Sequence, residues 1–300
     1  MELWLPITIG AATAQPLRFM LQKRLKGRAL STAGATFARF IYSSPLVALI
    51  AVIYASTTGQ GSPVIPQAFW PYAFAGGMSQ ILATMCVVAL FSHRNFAVGI
   101  TFKKTEVLLS ALFGFIILGD RFTTLTILAM LIGLAGVLLL SDPPGGVGPW
   151  HQRIFNRATA MFLWAGVLVG ISGNGYRGAS LSLADGDVFY RAIITLALVT
   201  AFQTLAMALW LAWRERGEIG RVLASWRVAG LVGVTSMIGS ICWFTAFTLQ
   251  NAAYVNAVGQ IELLFSLMIG AFVFGEKVSR REWQGLGLLT ISIIMLVLLL

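Results

Sequence analysis

The chain has 300 residues, of which 58% are hydrophobic and only 11% are charged, less than half of the roughly 25% charge of an ordinary soluble domain. A soluble fold of this length could not bury so much apolar surface, so the composition excludes a soluble globular protein and indicates a membrane protein. The net charge of +10 does not indicate nucleic-acid binding, because the basic residues form short clusters between apolar stretches, where such clusters set membrane topology.

Apolar stretches long enough to cross a bilayer as helices recur along the whole chain. The first lacks a basic N-terminal region and a small-residue cleavage site, so we expect it to be retained rather than removed as a signal peptide. The sequence therefore predicts an all-α integral membrane protein of about ten transmembrane helices, over residues 4–21, 34–56, 68–91, 96–118, 122–140, 157–179, 186–213, 226–248, 253–274 and 281–300.

The predicted helices fall into two groups of five. Residues 142–156 begin with a Pro- and Gly-rich run that cannot continue a helix, so we predict a first repeat at 1–141 and a second at 157–300. Because five is odd, the second repeat must enter the membrane from the opposite side. Inverted repeats are common in secondary transporters, since two similar bundles can rock and expose one midplane site alternately to each side.

Internal similarity supports this duplication. A shift of 156 residues superposes Glu106 on Glu262 and continues to the acid–base pairs Asp120-Arg121 and Glu276-Lys277. At the front of each half, a different offset aligns residues 15–18 with 174–177, and Arg39 with Arg191.

Loop charges predict the orientation. Lysine and arginine are concentrated in the loops after the odd-numbered helices, which should therefore be cytoplasmic, with both termini extracytoplasmic. The basic residues that carry this prediction are Lys23, Arg24, Lys26, Arg28, Arg94, Arg153, Arg214, Arg216 and Arg221.

Two acids are predicted near the centres of the fourth and ninth helices. An ionised carboxylate there costs about 2.5 to 3.5 kcal/mol, and Glu106 and Glu262 each share a helix stripe with small residues, so we expect both to face protein rather than lipid. They either hydrogen-bond across helices and hold the halves together, or bind a substrate amine or a proton. Lys103 is either a charge partner of Glu106, three residues away, or a lysine that reaches the interface.

Interruptions are predicted in the first and sixth helices, at Gln15 and Pro16 and at Gly173, Asn174 and Gly175. Paired helix breaks mark binding sites in repeat transporters. Proline and glycine are also simply common in membrane helices, so both interpretations are open.

The chain offers little enzyme chemistry. Cys86 and Cys242 fall inside predicted helices and should pack as small apolar residues, and the only two histidines, His93 and His151, lie in or near loops. We therefore predict no disulfide framework, metal site, cofactor or catalytic activity.

The repeated blocks Glu106 to Arg121 and Glu262 to Lys277 resemble the EamA-type proteins of the drug/metabolite transporter superfamily, across essentially the whole chain. The chain departs from the usual family pattern, in which proline often follows the glutamate, by having Val107 and Leu263. Within the superfamily it looks most like the YddG-type aromatic amino acid exporters.

That resemblance implies export of amino acids across the bacterial inner membrane through a largely apolar cavity. It places Met78, Phe102, Trp164 and Trp243 on the cavity wall, with Glu106 and Glu262 beside or beneath it. Asn174 and Gln260 complete the candidate site.

Several alternatives stay open. Drugs or other metabolites are alternative substrates, whereas a nucleotide sugar would need more cationic residues around the cavity than the sequence indicates. A channel and a membrane scaffold are further possibilities. The expected partners are a small-molecule substrate and membrane lipid, and no pattern indicates an oligomeric state.

Overall fold

The computed structural model describes residues 3–28, 30–90, 105–140, 157–263, 265 and 280–299. These residues are mainly helical, and a π-helical turn, Gly114–Leu118, continues the fourth helix. The helices are α1 (Trp4–Arg28), α2 (Thr32–Thr58), α3 (Phe69–Leu90), α4 (Glu106–Phe113), α5 (Thr124–Leu140), α6 (Arg157–Ser182), α7 (Val188–Arg214), α8 (Glu218–Ala224), α9 (Trp226–Leu249), α10 (Ala252–Gly259) and α11 (Arg280–Leu298).

The helices α2, α3, α7 and α9 are long and apolar enough to cross a membrane, judged by length and composition. Three shorter apolar stretches accompany them, at Glu106–Leu118, Thr124–Leu139 and Trp283–Leu298. The prediction of an all-α membrane protein is confirmed. The linker predicted at 142–156 lies outside the described residues.

Helices that correspond in the two predicted repeats pack against each other and run antiparallel. In the α4–α10 pair, Gln260 reaches Glu106 whereas Asn256 reaches Ser110, one turn further along α4. In the α5–α11 pair, Ser292 bonds Ala129, and Gly136 lies against residues 285–289. In each pair, residue numbers rise along one helix as they fall along the other, so the two helices are antiparallel. This is the relation expected of inverted repeats.

The helices α2 and α7 form a third such pair, and carboxylates join them at both ends. The backbone N–H of Ser31, at the start of α2, donates to Glu218 Oε1 at 2.6 Å, just beyond the end of α7. At the other end, Asp187 caps α7 through the N–H of Tyr190 at 2.9 Å. Its second oxygen accepts from the Tyr54 hydroxyl at 2.9 Å and from Gln60 Nε2 at 3.0 Å, both near the end of α2. Acids at helix N-termini are stabilised by the unpaired N–H groups and the helix dipole.

The predicted helix breaks are wrong in position. The helix α1 continues through Pro16, and α6 continues through residues 173–175. Glycine in α6 instead permits close packing, since a Cβ on Gly175 would lie 2.8 Å from the Cα of Gly76 in α3. The interruption falls in the predicted ninth helix, where α10 ends at Gly259 and a turn at 260–261 precedes Glu262.

The apolar core consists of two clusters. The larger contains side chains from α6, α7, α9 and α10 together with α2 and α3, so it joins the two repeats. The smaller cluster lies where α1, α3 and α7 end and where α2 and α9 begin. Between them, these clusters fix the helices that surround the central cavity.

Candidate central cavity

A cavity with about 670 Å³ of unfilled space, including the part open to solvent, lies among helices of both predicted repeats. The lining residues are Gln15, Arg18, Phe19, Arg39, Gln80, Ala83, Thr84, Val87, Glu106, Val169, Ser172, Gly173, Tyr176, Ser240, Trp243, Phe244, Phe247 and Asn256.

Two arginines from the first repeat line the cavity, and both are buried. Arg39 donates to the hydroxyls of Thr84 at 3.2 Å and Ser240 at 3.5 Å. Arg18 is 7% exposed, and its buried Nε has no hydrogen-bond partner within the described part of the chain. Glu262 attracts Arg18 electrostatically, whereas Arg39 repels it.

The two glutamates are 5% and 7% exposed, which confirms that they face protein. Glu106 lies in the first turn of α4, rather than in the middle of a continuous described helix, so the N–H groups there favour its charge. Gln260 Nε2 donates to Glu106 Oε1 at 3.5 Å. Glu262 accepts from Gln15 Nε2 at 2.5 Å, so each glutamate has an amide partner from the opposite repeat.

Aromatic rings form one wall of the cavity. Trp243 stacks on Phe247 with ring centroids 5.6 Å apart, and Tyr176 stacks on Phe244 at 4.1 Å. Gly259, at the end of α10, leaves room for Trp243, since a Cβ there would lie 2.4 Å from the indole. The wall thus offers flat apolar surface close to the charged groups.

Asn174 and Ser110 form hydrogen bonds between helices next to the cavity. Asn174 Nδ2 donates to the backbone oxygens of Ser110 and Gly170, each at 2.9 Å. Asn256 Nδ2 donates to the hydroxyl of Ser110 at 2.7 Å. Because all of these groups are buried, the bonds hold α4, α6 and α10 together next to the site.

The other candidate residues are placed as follows. Gln15, Glu106, Gly173 and Trp243 line the cavity, whereas Gln260 lines a separate small cavity between α4, α5, α10 and α11. Met78 and Trp164 are 43% and 63% exposed and do not line the cavity. Phe102 and Lys103 lie outside the described residues.

The sequence reasoning missed the arginines of the cavity. The repeat register identifies Arg18 and Arg39 without giving them a role, although a cation inside an apolar helix is itself a signal of function. The sequence does not indicate which cations surround the cavity, and the structure places these two on its wall. Gln80 and Tyr176 had no comparable signal, since polar and aromatic residues are scattered through all the helices.

The repeat-related partner of Arg18 lies elsewhere. Arg177 NH2 is 3.8 Å from Asp120 Oδ1, and Arg177 NH1 donates to the backbone oxygen of Phe247 at 3.3 Å. Asp120 follows the π-helical turn, outside the spanning segments. Burial raises the pKa of its carboxyl, and the nearby Arg177 guanidinium opposes that rise. Neither Arg177 nor Asp120 lines the cavity.

Comparison with known proteins agrees with this architecture. A solved crystal structure matches 99% of this chain and 97% of its own, with a TM-score of 0.68 at 16% identity, which shows a common fold. No curated protein sequence gives a match. Among the described residues, no cluster of His, Cys, Asp and Glu could hold a metal ion.

The sequence pattern of the EamA-like transporter family matches twice, over residues 3–142 and again over 158–298. The two matches give the chain a two-repeat architecture. The chain belongs to the EamA-like transporter family of the drug/metabolite transporter superfamily.

Proposed function

We propose that the chain exports amino acids with aromatic or bulky apolar side chains across the bacterial inner membrane by alternating access. The observation that carries the proposal is the central cavity, which combines an aromatic wall with buried charges of both signs. An amino acid presents the same three features, namely an apolar side chain, an amine and a carboxylate.

Each feature of such a substrate has a candidate partner. The rings of Trp243 and Phe247 provide flat surface for the substrate side chain. Glu106 is a buried carboxylate on the cavity wall and is the candidate partner of the substrate ammonium. The two glutamates differ in this proposal, because Glu106 faces the substrate and Glu262 faces Arg18.

The arrangement of the helices supports alternating access. Helices from both repeats line the cavity, and corresponding helices run antiparallel, as in inverted repeats. Two such bundles can rock against each other and open the cavity to one side at a time. The outward direction of transport follows the resemblance to amino acid exporters and is part of the proposal.

The test is efflux of radiolabelled Phe, Trp, Met and Thr from liposomes that contain the purified protein. We expect saturable efflux that is fastest for the aromatic amino acids. Trp243→Ala and Glu106→Gln should each lower kcat/KM at least tenfold, since each removes a group on the cavity wall. Saturation and competition distinguish a carrier from a channel.

Trp164→Ala is the matched control, because this tryptophan is 63% exposed and does not line the cavity. It should transport like the wild type. Equal loss in Trp164→Ala and Trp243→Ala would place the site elsewhere. Efflux of none of the amino acids by folded protein would contradict amino acid export and favour a drug or another metabolite as the substrate.

A further inference from the structure

Resting on the proposed function, we propose that Arg18 and Arg39 form a carboxylate-binding subsite between α1, α2 and α9, which makes a free carboxylate a requirement of the substrate. Both arginines line the central cavity, and both also line a small recess beside it. The recess is completed by Gln15, Thr235, Ser236, Gly239, Ser240 and Trp243.

The described partners leave the positive charges of this subsite incompletely balanced. Arg39 donates to two neutral hydroxyls, which satisfy two of its five N–H groups without neutralising its charge. Arg18 is only 7% exposed, and its Nε has no hydrogen-bond partner among the residues that the structure describes. The two arginines repel each other. An oxyanion between them would remove this repulsion and supply the missing acceptor.

A hydroxyl adds to the same recess. Ser236 is 2% exposed, and its Oγ has no hydrogen-bond partner within the described ranges. Buried hydroxyls are normally satisfied, so an unpartnered donor beside two buried guanidinium groups indicates a missing acceptor. Ser240, already in contact with Arg39, lies one turn further along α9.

Glu262 gives the subsite a way to release its ligand. Its carboxylate attracts Arg18 and is held by Gln15. In the absence of substrate it partly balances Arg18, and a bound carboxylate competes with it. The arginines therefore recognise the carboxylate without holding it irreversibly, while the stacked rings of Trp243 and Phe247 contact the apolar part.

The experiment measures binding of four related compounds to the protein in neutral detergent by calorimetry. Phenylalanine and 3-phenylpropionate carry the carboxylate, whereas phenethylamine and phenylalanine methyl ester lack it. We expect the two carboxylate compounds to bind at least tenfold more tightly than the two compounds that lack it, since hydrogen bonds between charged groups are stronger than those between neutral groups.

Arg18→Gln and Arg39→Gln should each reduce this preference to less than threefold. Arg39→Lys, which keeps the charge, should retain part of it and guards against a folding defect. The control is Arg191→Gln, because Arg191 is the repeat-related position of Arg39 and does not line the cavity. Unchanged preference in both glutamine variants would overturn the subsite.

Three further outcomes distinguish failure of this subsite from failure of the proposed function. Carboxylate binding that depends on the arginines, without amino acid efflux, would leave the subsite intact and contradict only the exporter. Failure of phenylalanine, 3-phenylpropionate and acetate alike to bind the folded wild type would overturn the subsite. A phospholipid phosphate shares the chemistry of a carboxylate, so displacement of bound 3-phenylpropionate by phosphatidylglycerol, but not by phenylalanine, would assign the arginines to lipid and overturn a substrate role.

Discussion

The first-repeat arginines and their counterparts in the second repeat have different surroundings. Arg18 and Arg39 line the cavity, where described partners leave their charges incompletely balanced. Arg177, the counterpart of Arg18, is paired with Asp120, and neither it nor Arg191 lines the cavity. Both repeats have arginine at corresponding positions, and the neighbouring side chains differ between the two repeats. The two repeats thus contribute different charges to the cavity, because both arginines that line it come from the first repeat.

The largest effect should follow loss of the second-repeat arginine that has an acidic partner. Arg177→Gln leaves the Asp120 carboxylate, whose side chain is 11% exposed, without its cation. Removal of one member of a buried pair costs several kcal/mol. Because the pair is 3.8 Å apart and both side chains are slightly exposed, we expect a loss of about 2 to 3 kcal/mol, visible as a melting temperature lower by about 5 to 10 °C in detergent.

A double variant tests whether the stability loss of Arg177→Gln comes from the unpaired carboxylate of Asp120. Arg177→Gln with Asp120→Asn should recover most of the stability, since the buried charge is then absent. Arg227→Gln is the control, because Arg227 is exposed beside the Trp226 ring. A loss of stability in Arg227→Gln equal to that of Arg177→Gln would contradict a specific role for the Asp120 pair.

A second prediction contrasts the repeat-related amides Gln15 and Asn174. Asn174→Ala removes two buried hydrogen bonds, so we expect a stability loss of about 1 to 3 kcal/mol with little change in KM. Gln15→Ala removes a cavity-lining group and the donor to the buried carboxylate of Glu262, so we expect a KM change of roughly tenfold together with a stability loss of about 1 to 3 kcal/mol. Efflux and unfolding are measured on both variants, and a KM change in Asn174→Ala but not in Gln15→Ala would contradict the comparison.

The smallest expected effect is a dependence of stability on pH. Burial raises the pKa of Asp120 above its unfolded value, so its contribution to stability is present at low pH and is lost as pH rises through the folded-state pKa. Asp120→Asn should therefore give a shallower decline of melting temperature above about pH 4. Arg177→Gln should extend the decline to higher pH, because Arg177 opposes the rise. Identical profiles for all three proteins would contradict this assignment.

The sequence predicts the helical class because apolar stretches of spanning length leave the backbone no other open-chain solution in lipid. It also predicts the burial of Glu106 and Glu262, because the repeat register places them on stripes of small residues. Both outcomes depend on local composition and spacing, which a sequence contains directly.

Other features depend on neighbours that the sequence does not specify. Pro16 and Gly175 look like helix breakers, yet tertiary packing keeps both helices continuous and uses Gly175 for close approach to α3. Trp164 and Trp243 occupy similar depths in their predicted helices, and only the rotation of each helix turns one outward and the other toward the cavity. Arg18 and Arg39 reach the same cavity from α1 and α2, and the packing of these helices likewise decides that placement.

The two carboxylate caps on α2 and α7 have a mechanical consequence. Glu218 holds the first turn of α2 to the end of α7, and Asp187 holds the first turn of α7 to the end of α2. A pair fastened at both ends behaves as a rigid strut, so spin labels on α2 and α7 should keep a constant separation throughout the transport cycle. A constant separation would mean that the seam between these helices stays closed, so that a substrate passes between other helices.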